Sequence, residues 1–177
     1  AVGGSDDDIV VFCGSGATGA INKLIDVLGI RLPASLNKTY GLDKNIPVSE
    51  RPVVFIGPYE HHSNELPWRE SIADVVTIEE DDDGQIDLKE LELALETYAQ
   101  RPMKIGSFSA ASNVTGILSD TDAVSTLLHE HGALAFWDYA AAGPYTKIAM
   151  TPAEESHSLA YKDAAFISTH KFVGGPG

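Results

Sequence analysis

Cysteine is almost missing from this chain. Cys13 is the only one among 177 residues, so no intramolecular disulfide framework can staple the fold, and such usage fits a reducing compartment. Positive charge is scarce as well: 12 Lys+Arg stand against 26 Asp+Glu, a formal net charge of -14. Nucleic acids and anionic membranes both attract a basic face, so neither is an expected partner, and a small molecule is the better expectation. No apolar run approaches the ~20 residues of a membrane span, and the opening AVGGSDDD is no secretory signal. A cytoplasmic location is therefore expected. What the chain does have is apolar content, 44% of its residues, which suffices for one core of ordinary single-domain size.

Short apolar runs alternate with stretches whose apolar residues recur at three and four, which predicts strands alternating with helices. Strands are expected at DIVVF, RPVVFIG, ADVVTI, MKIGSFSA, ALAFWDYA and AAFIST. Helices are expected in the segment CGSGATGAINKLIDVLGI, around Leu66 to Ala73, over DLKELELALETYAQ and over SDTDAVSTLLHEHG, while ASLNKTYG and GLDKNIPVSERP read as polar loop. Asp87 is the expected cap of the third helix. Ser119 or Asp120 would cap the fourth, with Gly132 closing it. Alternation of this kind with near-continuous apolar strands predicts an α/β protein, a mainly parallel sheet covered by helices on both faces in three layers. Chemistry in such sheets gathers at the carboxyl ends of the strands.

Three motifs offer other chemistries. EEDDDGQIDLKE approaches a calcium loop, but Glu79 stands in first position and a strand, not a helix, leads into it. A solvated turn is the plainer reading, with a non-catalytic calcium- or partner-binding α/β domain as the functional alternative. GSGATG satisfies the dinucleotide pattern, which keeps a nicotinamide-dependent oxidoreductase open, yet no acidic residue stands at a second strand end to hold a ribose. What remains is an anion site formed by glycines and a helix N-terminus, with N–H groups at Ala17 and its neighbours. The pairs His61-His62 and His129/His131 invite a metal. Their spacing sends them to different sides of a strand or helix, so no metal site is expected, and His129 and His131 read as surface or cap residues. Trp68 and Trp137 read as packing residues and Cys13 as a small buried hydrophobe.

The strand ends taken in order supply a glycine loop at Gly16, Ala17 and Thr18, then His61, Asn113, Asp138 and Lys171. An anion hole, a ring-stacking side chain, a carboxylate for a protonated ring nitrogen and an amine for a Schiff base answer to the parts of one cofactor, pyridoxal 5'-phosphate. The motifs GATGAIN, EHHSNELPW, SASNVTG, FWDYAAA and STHK, in that order from about Asp8 to Gly177, resemble those of the class V, fold-type I pyridoxal-phosphate enzymes. That family comprises cysteine desulfurases, selenocysteine lyases and related aminotransferases.

The resemblance implies an enzyme acting on an α-amino acid, desulfurase- or lyase-like, with class V amino-group transfer as the alternative. It implies that Lys171 forms the Schiff base and moves the Cα proton, that Asp138 partners the pyridine nitrogen, and that His61 stacks on the ring, with His62 as the alternative. Gly16, Ala17, Thr18, Ser168 and His170 fall at phosphate-binding positions, and Asn113 at the position contacting the phenolic oxygen or the substrate carboxylate. Ala141 stands where desulfurases commonly carry a glutamine, and TPAEESHSL is the expected inserted loop. The family is homodimeric, and its substrate-binding arginine and desulfurase cysteine follow the lysine. Residues 1–177 are thus expected to be most of the cofactor-binding large domain, without the N-terminal segment and the small C-terminal domain, and inactive alone.

Overall fold

The structure is a computed structural model, which describes residues 2–152 and 159–176. Five strands, β1 (Val53–Ile56), β2 (Asp74–Thr77), β3 (Lys104–Ser109), β4 (Leu134–Asp138) and β5 (Ala164–Phe166), form one sheet in the order β2-β1-β3-β4-β5. Every pairing is parallel. Such pairing needs crossovers, and helices α3 (His62–Arg69), α4 (Leu88–Thr97) and α5 (Thr121–Glu130) supply them between consecutive strands, while α1 (Gly16–Val27) and α2 (Ala34–Tyr40) precede the sheet.

Alternation along the strands divides the core in two. Val53 and Phe55 join Leu91, Leu95 and Leu128 on one face, while Val54 and Ile56 join Ile21, Ile25 and Trp68 on the other. Residues 53 to 56 are all at most 1% exposed, as expected of a central strand covered on both sides, and the three-layer α/β/α arrangement follows. Trp68 and Trp137 are fully buried packing residues. Their indole N–H groups donate to Ser107 Oγ at 3.1 Å and Ser125 Oγ at 2.9 Å.

Capping explains where the helices begin. Asp87 accepts from the N–H groups of Lys89 (2.8 Å) and Glu90 (3.2 Å), and Asp120 accepts from that of Ala123 (3.0 Å). Helix α3 starts at His62 rather than near Leu66, because the His61 ring takes the cap position and its Nδ1 accepts from Ser63 N–H at 3.2 Å.

Four other expectations are corrected. DIVVF is not a strand: Ile9, Val10, Val11 and Phe12 are 86%, 74%, 63% and 89% exposed and pair with nothing among the described residues. β-Branched residues favour extended backbone, but a strand also needs a partner. Cys13, which follows this run, is half-buried rather than a core residue. ASLNKTYG folds largely into α2, which buries no residue and therefore carries no amphipathic signal. His129 is not a surface residue. Its side chain is 5% exposed, with Nδ1 at 2.6 Å from the Leu159 carbonyl and Nε2 at 2.9 Å from Asp163. The loop expected at TPAEESHSL lies mostly outside the described residues.

The acidic turn is a strand-to-helix connection after β2. Asp81 Oδ1 accepts from the N–H groups of Asp83 and Gln85, each at 2.9 Å, and Glu90 accepts from that of Glu79 at 2.6 Å. These carboxylates are turned onto the backbone, which is how Asp commonly stabilises a turn. No helix among the described residues is long and apolar enough to cross a membrane.

Gly106, in the middle of β3, sets how closely α5 packs. A Cβ there would stand 2.5 Å from Leu128 Cδ1 and 2.8 Å from Phe108 Cε2, both in fully buried side chains. Gly106→Ala is expected to destabilise the fold by about 1–3 kcal/mol through overpacking. Urea unfolding of the purified variant against the wild type measures this directly.

Candidate active site

Parallel strands bring their carboxyl ends to one edge, and a cleft of about 300 Å3 opens there. Ala17, Thr18, His61, Asn113, Asp138, Ser168, His170 and Lys171 all line it, contributed by α1, by the turns after β1 and β3, by β4 and by the turn after β5. His62 does not line it, so the ring facing the cleft is that of His61. Gly16 is not in the wall but lies against it: a Cβ there would meet His170 Cε1 and Ser168 Oγ, both at 2.9 Å.

The entry to α1 is built from two successive left-handed residues, Ser15 (φ 66°) and Gly16 (φ 61°). Ser15 is the one non-glycine residue with positive φ among the described residues, and such strain persists only where the surroundings fix it. The reversal points the first turn of α1 at the 168–171 turn. One N–H expected to serve an anion is already engaged, since Ala17 N–H donates to Ser168 Oγ at 3.1 Å. The hydroxyl is buried and holds the two loops together, which leaves the N–H of Thr18, the hydroxyl of Thr18 and the imidazole of His170 for an anion at this end.

At the other end of the cleft, Asp138 is 4% exposed. Its Oδ1 accepts from Ala140 N–H at 2.8 Å. Burial pushes its carboxyl above the usual aspartate range, while the Ala140 hydrogen bond and the nearby charges of Lys171 and His61 pull the other way. The His61 ring is fixed by Ser63, whose Oγ lies 2.7 Å from Nδ1. Lys171 closes a single 3-10 turn, Thr169–Lys171, and its N–H donates to the Ser168 carbonyl at 3.0 Å. Asn113 sits in a tight turn in which Ser112 Oγ accepts from the N–H groups of Val114 (3.2 Å) and Thr115 (3.1 Å).

Ser15, Ser63, Ser109, Ala111, Ala140 and Ala141 also line the cleft. Of these only Ala141 was singled out from sequence, as a departure from the desulfurase pattern. Small and hydroxyl residues beside strand ends carry no periodic signal, although alternation in KIGSFS marks Ser109 as sharing a sheet face with Ser107. The GSGATG setting for a dinucleotide fails on structure, because no strand among the described residues precedes this glycine loop. No cluster of three or more His, Cys, Asp or Glu among the described residues is placed to hold a metal.

Fold and cleft together define a parallel-sheet α/β domain that gathers an amine, a buried carboxylate, an imidazole and an anion-ready helix start at one sheet edge. The sequence model of the aminotransferase class-V family matches residues 2–177. The chain belongs to the aminotransferase class-V family. Among curated proteins it is 30% identical, over 70% of its length, to a probable cysteine desulfurase of Halalkalibacterium halodurans, of which it covers 29%. It is 33% identical, over 71% of its length, to probable cysteine desulfurase 2 of Mycobacterium leprae, of which it covers 28%. The chain thus spans less than a third of these relatives. Among solved structures, a NifS-like protein from Rickettsia africae superposes with a TM-score of 0.64 at 21% identity, over 92% of this chain and 37% of that one. A cysteine desulfurase from Thermococcus onnurineus does so with a TM-score of 0.60 at 18% identity, over 88% and 33%. Both share the fold.

Enzymes of this family use pyridoxal phosphate, and the donor set fits it. The cleft brings the start of α1, which Gly16 lets the 168–171 turn approach closely because it has no Cβ, together with a carboxylate and an amine at the same sheet edge.

Gly16→Ala is expected to strain the left-handed turn and push Ser168 and His170 away, costing at least about 1–2 kcal/mol. Ser15→Gly is expected to gain up to about 1 kcal/mol, since the same φ carries no Cβ penalty in glycine. Chemical unfolding of the two variants in parallel checks both signs.

Proposed function

We propose that residues 1–177 form most of the cofactor-binding large domain of a pyridoxal-phosphate enzyme acting on an α-amino acid. The activity is of the cysteine desulfurase or selenocysteine lyase type, and the full-length protein works as a homodimer. The observation that carries the reading is the company kept in one cleft: Lys171, buried Asp138, His61 and the start of α1, in a chain whose relatives are named probable cysteine desulfurases.

Pyridoxal phosphate, when bound, supplies an electron sink for the charge that develops at the substrate Cα. The chain's own residues do the rest. Asp138, whose charge the Ala140 N–H, Lys171 and His61 favour against the larger opposing effect of burial, would keep a proton on the pyridine nitrogen. His61 covers the ring face, its orientation set by Ser63. Gly16, by lacking a Cβ, lets Ser168 and His170 pack against the start of α1; Thr18 and His170 would hold the phosphate there, while Ser168 fixes Ala17 and the loop geometry. Asn113 donates to the phenolic oxygen or to the substrate carboxylate. Lys171 Nζ is the amine that would hold the cofactor, and the same group would hold or move the proton at the substrate Cα. Amino-group transfer is the second reading, because Ala141 in the cleft wall has no side-chain hydrogen-bonding group.

Full-length protein given pyridoxal phosphate is expected to develop a visible absorbance band that borohydride removes, leaving the cofactor's mass on Lys171, and to release sulfide from cysteine. Lys171→Ala is expected to lose the band and to slow turnover by at least about 10²-fold, the lower range for a positioned acid–base group. Keto acid formed without sulfide would select amino-group transfer. A wild-type protein that takes up no cofactor, with Lys171→Ala unchanged, sinks the reading.

A further inference from the structure

Glu60 immediately precedes His61 and is half-buried, its carboxyl group turned inward. It makes three hydrogen bonds there. Oε1 accepts from Ser109 N–H at 2.8 Å, and Oε2 lies 2.6 Å from Asn64 Nδ2 and 2.7 Å from Ser109 Oγ. Asn64 cannot turn round, because its Oδ1 accepts from Ser107 Oγ at 2.7 Å and from the Trp68 indole at 3.4 Å. Its amide therefore presents N–H to Glu60. Room for the carboxyl group depends on Gly57, where a Cβ would stand 2.9 Å from Oε1. On its far side is a cavity of about 10 Å3, enough for one water at most.

Ser109 connects this group to the site, since it lines both the small cavity and the cleft. It is also the residue of β3 paired with Asp138 on β4. Two carboxyl groups thus share one sheet end. Of the two, Asp138 has Lys171 and His61 near it, whereas the groups meeting Glu60, Asn64 from α3 and Ser109 from β3, are uncharged. Asp138 is the charged group that Glu60 faces, and Tyr59 is the other titratable residue around its cavity.

We propose that Glu60 is a positioning residue for the cleft: it ties the turn carrying His61 to the end of β3, and by carrying the proton of this carboxyl pair it leaves the negative charge on Asp138. The proton has one place to go. Oε1 faces a backbone donor and Oε2 faces the fixed Asn64 amide, so a hydroxyl on Oε2 donates to Ser109 Oγ while its lone pair still accepts from Asn64. Ser109 is then free to turn its own hydrogen toward the cleft beside Asp138. When Glu60 ionises, Ser109 must donate back to Oε2 and that donor is withdrawn. Burial pushes the Glu60 carboxyl up to about 7 against the pull of its hydrogen bonds, with the Asp138 charge adding to the rise, so the exchange falls at neutral pH. A folded-state value above the unfolded one also means that folded-state stability from this group is full below the usual glutamate range and lost as pH rises through about 7.

The proposal rests on the cofactor reading for its consequence but not for its first test. Infrared difference spectra of the full-length protein without cofactor are expected to show a protonated carboxyl band at pH 6 that fades with a midpoint near 7 and is missing in Glu60→Gln. Gly57→Ala, which crowds the carboxyl group without replacing it, is expected to lower that midpoint, and it serves if Glu60→Gln does not fold. With pyridoxal phosphate as the probe, wild-type affinity is expected to fall across the same midpoint, and Glu60→Gln and Ser109→Ala to flatten that dependence. No protonated band at pH 6, or a wild-type pH step retained in Glu60→Gln, overturns the role of Glu60. If the wild type binds no cofactor while the band behaves as described, the cofactor reading fails and the proton on Glu60 stands.

Discussion

All five strands run in the same direction, and that constraint decides where polar chemistry can gather. Parallel pairing puts Ile56, Ser109, Asp138 and Phe166 at one edge of the sheet, while the crossover helices cover both faces. Backbone leaving that edge has no strand to pair with and must be satisfied by turns, caps and side chains. Those turns bring in His61, Asn113 and the 168–171 segment. The sheet therefore acts as a ruler: register fixes Ser109 opposite Asp138, and each turn length sets what stands beside them.

The electrostatics of that edge are unusual for so acidic a chain. With a net charge of -14, a site for an anionic group cannot draw on a basic surface. Under the proposed reading neutral donors would do much of the work instead: the start of α1, the hydroxyl of Thr18, and the loop that Ser168 pins to Ala17. The same acidity makes a second buried negative charge at the sheet end costly, because neither carboxyl group there is paired with an arginine. Placing the proton on Glu60, which has hydrogen-bond donors but no cation, and the charge on Asp138, which has Lys171 and His61, is the arrangement that costs least.

Periodicity carried most of the architecture. The alternation of apolar runs and amphipathic stretches located all five strands of the sheet; Asp87 marked the start of α4, and of the two candidates Ser119 and Asp120 it is Asp120 that caps α5, capping being a local interaction between neighbours. Elements set by distant partners were harder to read. Ile9–Phe12 has strand composition and no strand to pair with; α2 has no buried face; α3 begins early because an imidazole serves as its cap. His129 is a helix-end residue as its sequence position suggests, but partners thirty and more residues away, the Leu159 carbonyl and Asp163, bury its side chain. In the cleft, the residues with distinctive chemistry stood out at strand ends, whereas Ser109 and Ser63 did not, since a serine in sequence says nothing of whom it will bond. Glu60 was visible only as the residue before His61, and its burial depends on Gly57, Asn64 and Ser109 from three different elements.

The division of labour along each strand shows why such a costly edge is tolerated. In β1 the four residues from Val53 to Ile56 are at most 1% exposed, and β4 carries Ala135, Phe136 and Trp137 at 0–3% before it reaches Asp138. In these two strands the apolar residues pack on both faces before the chain arrives at the polar end. The left-handed pair Ser15 and Gly16 borders the cleft, two inward-turned carboxyl groups, Glu60 and Asp138, stand at the carboxyl end of the sheet, and a buried Ser107–Asn64–Trp68 network joins β3 to α3. Each is unfavourable alone. Each is held by partners anchored in the core: Trp68 is itself a fully buried core residue, and Ser107 and Ser109 flank Phe108 on β3. Such departures from local rules gather around the cleft, the pattern expected of a functional site.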